Sequence, residues 1–127
     1  MTDDQASEFM VRFGAAFFKA QRAALEAVVA PDAQWHFAIG DEPDGRVRHG
    51  IEGFIQGKAE NDSMFEKLRY QDVRCRALGE SEIIMTYRVS GVWRATSRPL
   101  NRRGIERVEV REGLLRLKDV FWKQTVG

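Results

Sequence analysis

The chain is 127 residues long, with 20 Lys+Arg against 19 Asp+Glu and a formal net charge of +1. That length suits one domain spanning residues 1–127. The near-zero charge excludes the basic footprint of a dedicated nucleic-acid binder, and 43% hydrophobic with 31% charged residues excludes disorder and a membrane-embedded chain. Charge is nonetheless uneven, with 6 basic and 11 acidic residues over 1–64 against 14 and 8 over 65–127. A single cysteine, Cys75, rules out an internal disulfide and a multi-thiolate metal site, and suits a reducing cytoplasm. The acidic start MTDDQASEF lacks the parts of a secretory signal, and the apolar runs are too short to span a membrane.

Thr2-x-x-Gln5 has the form of a capping box. Phe9, Phe13, Phe17 and Ala20 follow at helical spacing, with Met10, Leu25, Val28 and Val29 widening the apolar face. One long helix is therefore predicted, stopping near Pro31, which lacks an amide hydrogen and biases Ala30 away from helical geometry. Trp35, Phe37 and Ile39 alternate with polar or small residues as in a short strand, and Gly40-Asp-Glu-Pro-Asp-Gly45 is turn chemistry. Ile51, Phe54 and Ile55 restore helical spacing, with Gly50, Gly53 and Gly57 expected to permit close packing.

The remainder reads as sheet, over about 68–78, 82–95, 104–111 and 114–124. Ile83, Met85, Tyr87, Val89 and Trp93 share one face of the second of these strands. Residues 96–104 form a basic, turn-rich loop. Helices first and strands after is the α+β order.

The last hairpin carries the sharpest expectation. Val108 and Val110 must share a face with Leu115, Leu117 and Phe121, because a one-residue slip exchanges the faces of a strand. An even loop pairs Val110 with Leu115 and Val108 with Leu117, and the same ladder sets Glu106 opposite Asp119 on the apolar face. Arg107, Glu109, Arg111, Arg116 and Lys118 then form the solvated face. The alternative, an odd loop with a glycine bulge, sets Lys118 opposite Glu106 and Arg116 opposite Val108; it buries two cations and is not expected. Two opposed carboxylates in an apolar setting titrate as a unit, one acting as a neutral donor and the other as a base. Structural ion pairing with Arg94, Arg102 or Arg103 is the competing reading.

Tyr87 and Trp93 reach the same cavity from their strand or serve as core. His36 has opposite parity to Trp35 and Phe37, which puts it at a pocket edge or in an ordinary structural setting. His49, beside Arg46 and Arg48, is either an anion contact or a solvated loop residue.

These elements resemble the SnoaL-like polyketide cyclase and ketosteroid isomerase group of the nuclear transport factor 2-like fold. The resemblance is carried by Ala30-Pro-Asp-Ala-Gln-Trp35, Gly50-x-x-x-Phe54, Tyr87-Arg-Val-Ser-Gly-Val-Trp93, Gly104-Ile-Glu-Arg-Val-Glu-Val-Arg-Glu-Gly113 and Leu117-Lys-Asp-Val-Phe-Trp122. It implies a cone-shaped α+β barrel, with N-terminal helices packed on a curved antiparallel sheet around a pocket, and a homodimer through the outer sheet face. It also implies that Glu106 matches the strand position of a protonated oxyanion donor; the handling of that acid in ketosteroid isomerase is a well-known case of pKa tuning. Asp119 matches the last-strand region that SnoaL-like cyclases use for proton transfer. The isomerase base falls on Phe37 and its helix phenol on Phe17 or Phe18. Gly104 stands where limonene epoxide hydrolases need an arginine, which disfavours that chemistry.

The catalytic candidates are thus Asp119, Glu106, Tyr87 and His36, and the ligand-binding candidates are Trp35, Phe37, Phe17, Trp93 and Phe121. The expected activity is proton transfer next to a carbonyl in an apolar small molecule, giving isomerisation, cyclisation or dehydration. No metal, cofactor, nucleic acid or membrane is expected. A non-catalytic ligand-binding module and a dimerisation or interaction domain are the alternatives.

Overall fold

The computed structural model describes residues 1–126, which form three helices and six strands. Helix α1 (Asp3–Lys19) opens on the expected capping box: the Thr2 hydroxyl accepts from the Gln5 amide and the Gln5 side chain accepts from the Thr2 amide. It ends well short of Pro31. Ala20 turns left-handed at φ 50, and its N–H donates to the Ala16 and Phe17 carbonyls. The predicted single helix is therefore α1 followed by a short α2 (Arg22–Glu26).

Strand β1 (Val29–His36) begins earlier than the spacing predicts and contains Pro31. The ladder with its neighbour slips between Val29 and Gln34, so the missing proline N–H falls where regular pairing is already broken. A loop then brings the chain back on itself. Phe37 donates to the Arg46 carbonyl at 2.8 Å, and Gly45 holds φ 75. Strand β2 (Val47–His49), helix α3 (Gly50–Met64) and strands β3 (Phe65–Leu78), β4 (Glu82–Trp93), β5 (Pro99–Arg111) and β6 (Leu114–Trp122) follow.

The strands form one open sheet in the order β2-β1-β6-β5-β4-β3. Every neighbouring pair is antiparallel except β1 and β6, which run parallel, so the sheet is mixed. Strand β3 slips register twice, between Glu66 and Arg69 and between Gln71 and Arg74, with Lys67 and Asp72 at positive φ. Such bulges bend a strand and increase its twist, which carries β3 round towards α1.

Helix α3 packs on β1, where Gly57 lets Trp35 approach: a Cβ there would lie 2.5 Å from the indole. Phe54 and Trp35 are fully buried between these layers. Helix α1 is fastened over β3 by Asp3, whose carboxylate accepts from the Ala77 amide at 2.8 Å and from Arg76 at 3.1 Å. The Ala77 hydrogen bond holds that carboxyl below its usual range, with Arg76 adding to the effect against a smaller cost of burial. Among the described residues no helix is long and apolar enough to cross a membrane.

Candidate functional site

The β5–β6 turn is even, as expected. Glu112 and Gly113 both hold positive φ, Arg111 pairs with Leu114 and Val110 with Leu115. The ladder then slips, for Glu109 pairs with Leu117 and Arg116 is left as the extra residue of a bulge. Beyond it Val108 pairs with Lys118, Arg107 with Asp119 and Glu106 with Val120. The bulge exchanges the faces of β6, so Lys118 points inwards and Asp119 outwards.

The expected Glu106–Asp119 pair is therefore replaced by a Glu106–Lys118 pair. Glu106 is 3% exposed and Lys118 6%. The Lys118 ammonium lies 3.1 Å from Glu106 Oε1, 4.9 Å from the Trp35 ring centroid and 5.6 Å from that of Phe17. A buried cation is tolerable here because a carboxylate and two aromatic faces replace its water. The other carboxylate oxygen, Oε2, accepts from the Tyr87 hydroxyl at 2.8 Å, and Tyr87 in turn accepts from Trp122 Nε1 at 2.9 Å.

Tyr70 meets Tyr87 edge to face at 5.0 Å. Burial, reinforced by the negative charge of Glu106, pushes both phenols well above their usual range, so they stay protonated donors. Burial also raises the Cys75 thiol, which the Ser7 side chain partly offsets and Glu106 reinforces.

Glu106 and Lys118 form the floor of a cavity of about 390 Å³, with Tyr87 behind the carboxylate. One wall is α1, through Ser7, Met10, Gly14 and Phe17; the facing wall is β3, through Tyr70, Val73 and Cys75. A gap of about 20 Å³ lies behind the ion pair, bounded by Trp35, Phe37, Asn61 and Trp122. The cavity is thus apolar in its walls and charged only at its floor. That volume falls in the range of small-molecule sites.

Of the sequence candidates, Glu106, Tyr87 and Phe17 meet at this site, Tyr87 as the donor behind the carboxylate. Trp35 and Phe37 stand behind the ion pair as core, with ring centroids 4.1 Å apart. Asp119 lies on the outer sheet face, 3.7 Å from Arg107 and 3.9 Å from His36 Nδ1. His36 is on that same face and contacts Gln34 at 2.9 Å. Phe121 follows the bulge outwards and is 54% exposed. Trp93 packs at the edge of the cluster that holds Tyr87, tilted against Phe65 at 4.6 Å with Arg102 over its ring, and does not line the cavity. Arg94 pairs with Glu66, and Arg46 and Arg48, the neighbours of His49 in sequence, both pair with Glu60.

Sequence reasoning missed Lys118 and Tyr70. For Lys118 the signal is the odd register, which sets it opposite Glu106 but also buries Arg116; the bulge at Arg116 brings Lys118 inwards without setting Arg116 opposite Val108. Tyr70 was hidden by the bulges of β3, which break the alternation on either side of it. Among the described residues no three His, Cys, Asp or Glu side chains converge to hold a metal ion.

Structures similar to this chain share its fold at low identity. A nuclear transport factor 2-like protein from Burkholderia xenovorans is 18% identical with a TM-score of 0.81, covering 97% of this chain and 92% of its own. A provisionally named polyketide cyclase from Xanthomonas campestris is 18% identical with a TM-score of 0.75, covering 95% and 92%. A protein with a ketosteroid isomerase-like fold from Catenulispora acidiphila, solved with trimethylamine, is 17% identical with a TM-score of 0.72, covering 91% and 85%. No curated protein matches the chain in sequence. The model of the SnoaL-like domain matches residues 10–117. The chain belongs to the SnoaL-like domain family.

Proposed function

We propose that this protein binds an apolar small molecule bearing a carbonyl oxygen and moves a proton at the carbon beside it, as an isomerase, cyclase or dehydratase. The observation that carries this reading is the Glu106–Lys118 pair, buried at the floor of an otherwise apolar cavity of about 390 Å³. Lys118 donates to the ligand oxygen and Glu106 takes the proton. The negative charge then passes from the carboxylate to the enolate oxygen, and Lys118 faces it in both states. Preorganised donors aimed at developing charge are the largest common source of such rate enhancement. Tyr87 holds Glu106 in position, and Tyr70 offers a second donor within the cavity. Asp119 and His36, on the opposite face of the sheet, take no part.

The test is proton exchange at 2-tetralone in D₂O, followed by loss of its α-proton signals by NMR. The protein should accelerate exchange, and Glu106→Gln should remove the acceleration. Binding of the ketone without any acceleration favours a non-catalytic binding module instead.

The outer sheet face supports a homodimer. Ile105 and Phe121 are directly opposed across β5 and β6, exposed at 38% and 54%, with Arg107 paired to Asp119 beside them. An apolar centre with a charged rim is the usual anatomy of an interface. The single free cysteine, Cys75, fits a reducing cytoplasm.

A further inference from the structure

Nearly every described glycine has a reason in its own surroundings. At Gly53, Gly57, Gly91 and Gly104 an added Cβ would crowd a neighbour, at Gly40 it would strike the Arg46 backbone, and Gly45, Gly50, Gly79 and Gly113 hold positive φ. Gly14 has neither reason. It lies inside α1 with helical backbone, and an added Cβ would meet nothing within 4 Å. A glycine there weakens the helix relative to alanine, and no protein atom takes up the space that it leaves.

That space belongs to the cavity. Ser7, Met10, Val11, Gly14, Phe17 and Phe18 recur at helical spacing as a stripe along the cavity side of α1, and Gly14 is at its centre. Beside this stripe runs a second one, formed by Ala6, Phe9, Met10, Phe13 and Ala16, which is buried against the core. The cavity-side stripe is apolar but unfilled: Val11 is 74% exposed and Phe18 65%, and Val73 of β3 faces them at 49%. The bare backbone at Gly14 makes a shallow seat between the Phe17 and Phe18 rings on one side and Met10 and Val11 on the other.

We propose that Gly14 is the specificity-determining position of the cavity, the seat of a distal ring of the ligand whose oxygen lies at Lys118. This rests on the ligand reading above and adds to it that the ligand is larger than one ring. A single ring fills the Lys118 end, and a fused second ring lies against the α1 backbone, where any side chain at position 14 would displace it.

Two ketones test this on the full chain: acetophenone, with one ring, by ligand-observed NMR, and prodan, a fused two-ring ketone, by its blue-shifted emission. The wild type should bind both. Gly14→Leu should weaken prodan by roughly tenfold or more while leaving acetophenone little changed, as overpacking of a filled site implies. Gly14→Ala should raise the melting temperature by about 3–5 °C, because it removes a helix-interior glycine into open space. Ala15→Leu, on the exposed side of the same helix turn, should alter neither affinity. Equal prodan affinity in the wild type and Gly14→Leu overturns the inference and leaves the proposed function standing. Equal loss of both ketones overturns it too, as general occlusion, and so does a lowered melting temperature in Gly14→Ala. Failure of the wild type to bind either ketone overturns the ligand reading and this inference with it.

Discussion

The Glu106–Lys118 pair can be weighed by removing its members separately and together. Lys118→Met takes away a 3.1 Å ion pair and leaves a carboxylate that is 3% exposed and still accepts from the Tyr87 hydroxyl. Breaking a buried pair by removing one partner costs about 3–5 kcal/mol. The retained Tyr87 hydrogen bond at 2.8 Å places this variant at the lower end, about 3 kcal/mol. Glu106→Met leaves an ammonium with the Trp35 and Phe17 rings but no carboxylate, which places it higher, about 4 kcal/mol. The double variant leaves neither charge and fills the same space with apolar atoms, so its cost should be below that of either single, about 1 kcal/mol. In a chain this size the single variants should melt roughly 10–20 °C lower. Equilibrium urea unfolding at pH 7, read by tryptophan fluorescence and circular dichroism, gives the three free energies. Single costs below about 1 kcal/mol that simply add would mean that the two groups do not face each other in a buried site.

Gly57→Ala should destabilise by about 1–3 kcal/mol in thermal melts, because its Cβ would lie 2.5 Å from Trp35 and 2.9 Å from Phe37 inside a filled core. Tyr87→Phe should cost about 1.5–3 kcal/mol in urea unfolding, since it removes the donor to Glu106 and orphans Trp122 Nε1. The chain has 2 tyrosines, and burial raises both phenols above their ordinary value of 10.0. A folded value above the unfolded one gives stability that is complete below pH 10 and is lost as pH rises past it. Absorbance at the tyrosinate band should therefore stay flat near pH 10 and rise only with alkaline unfolding. Phe121→Glu should convert a dimer to a monomer in sedimentation velocity while leaving prodan binding intact; an unchanged sedimentation coefficient counts against an interface on the outer sheet face.

Most of the frame was legible because it rests on local chemistry. The Thr2–Gln5 box starts a helix whatever lies beyond it, and the Ile83–Tyr87–Val89 alternation picks the inner face of β4. Glu112-Gly113 can make a tight turn by its own φ angles, so the Val110–Leu115 pairing followed from sequence. Helix and strand boundaries near Pro31 were less legible. A proline that ends a helix in isolation also sits comfortably at a break in a ladder, and the break depends on β6, which is distant in sequence.

The site itself turned on one residue of slippage. Sequence determined that an acid, Glu106, occupies the apolar face of β5, and that β6 brings both Lys118 and Asp119 to its neighbourhood. Only the tertiary structure decided which of them faces inwards. Strand β6 is paired on both sides, antiparallel to β5 and parallel to β1, and the bulge at Arg116 lies in that doubly paired strand. Alternation within β5 and β6 has no information about β1. The cost of burying a lysine is likewise set by partners from elsewhere, Glu106 across the hairpin and the Trp35 and Phe17 rings from β1 and α1. Taken singly Lys118 is too expensive to bury; surrounded by those groups it becomes the cation at the floor of the cavity.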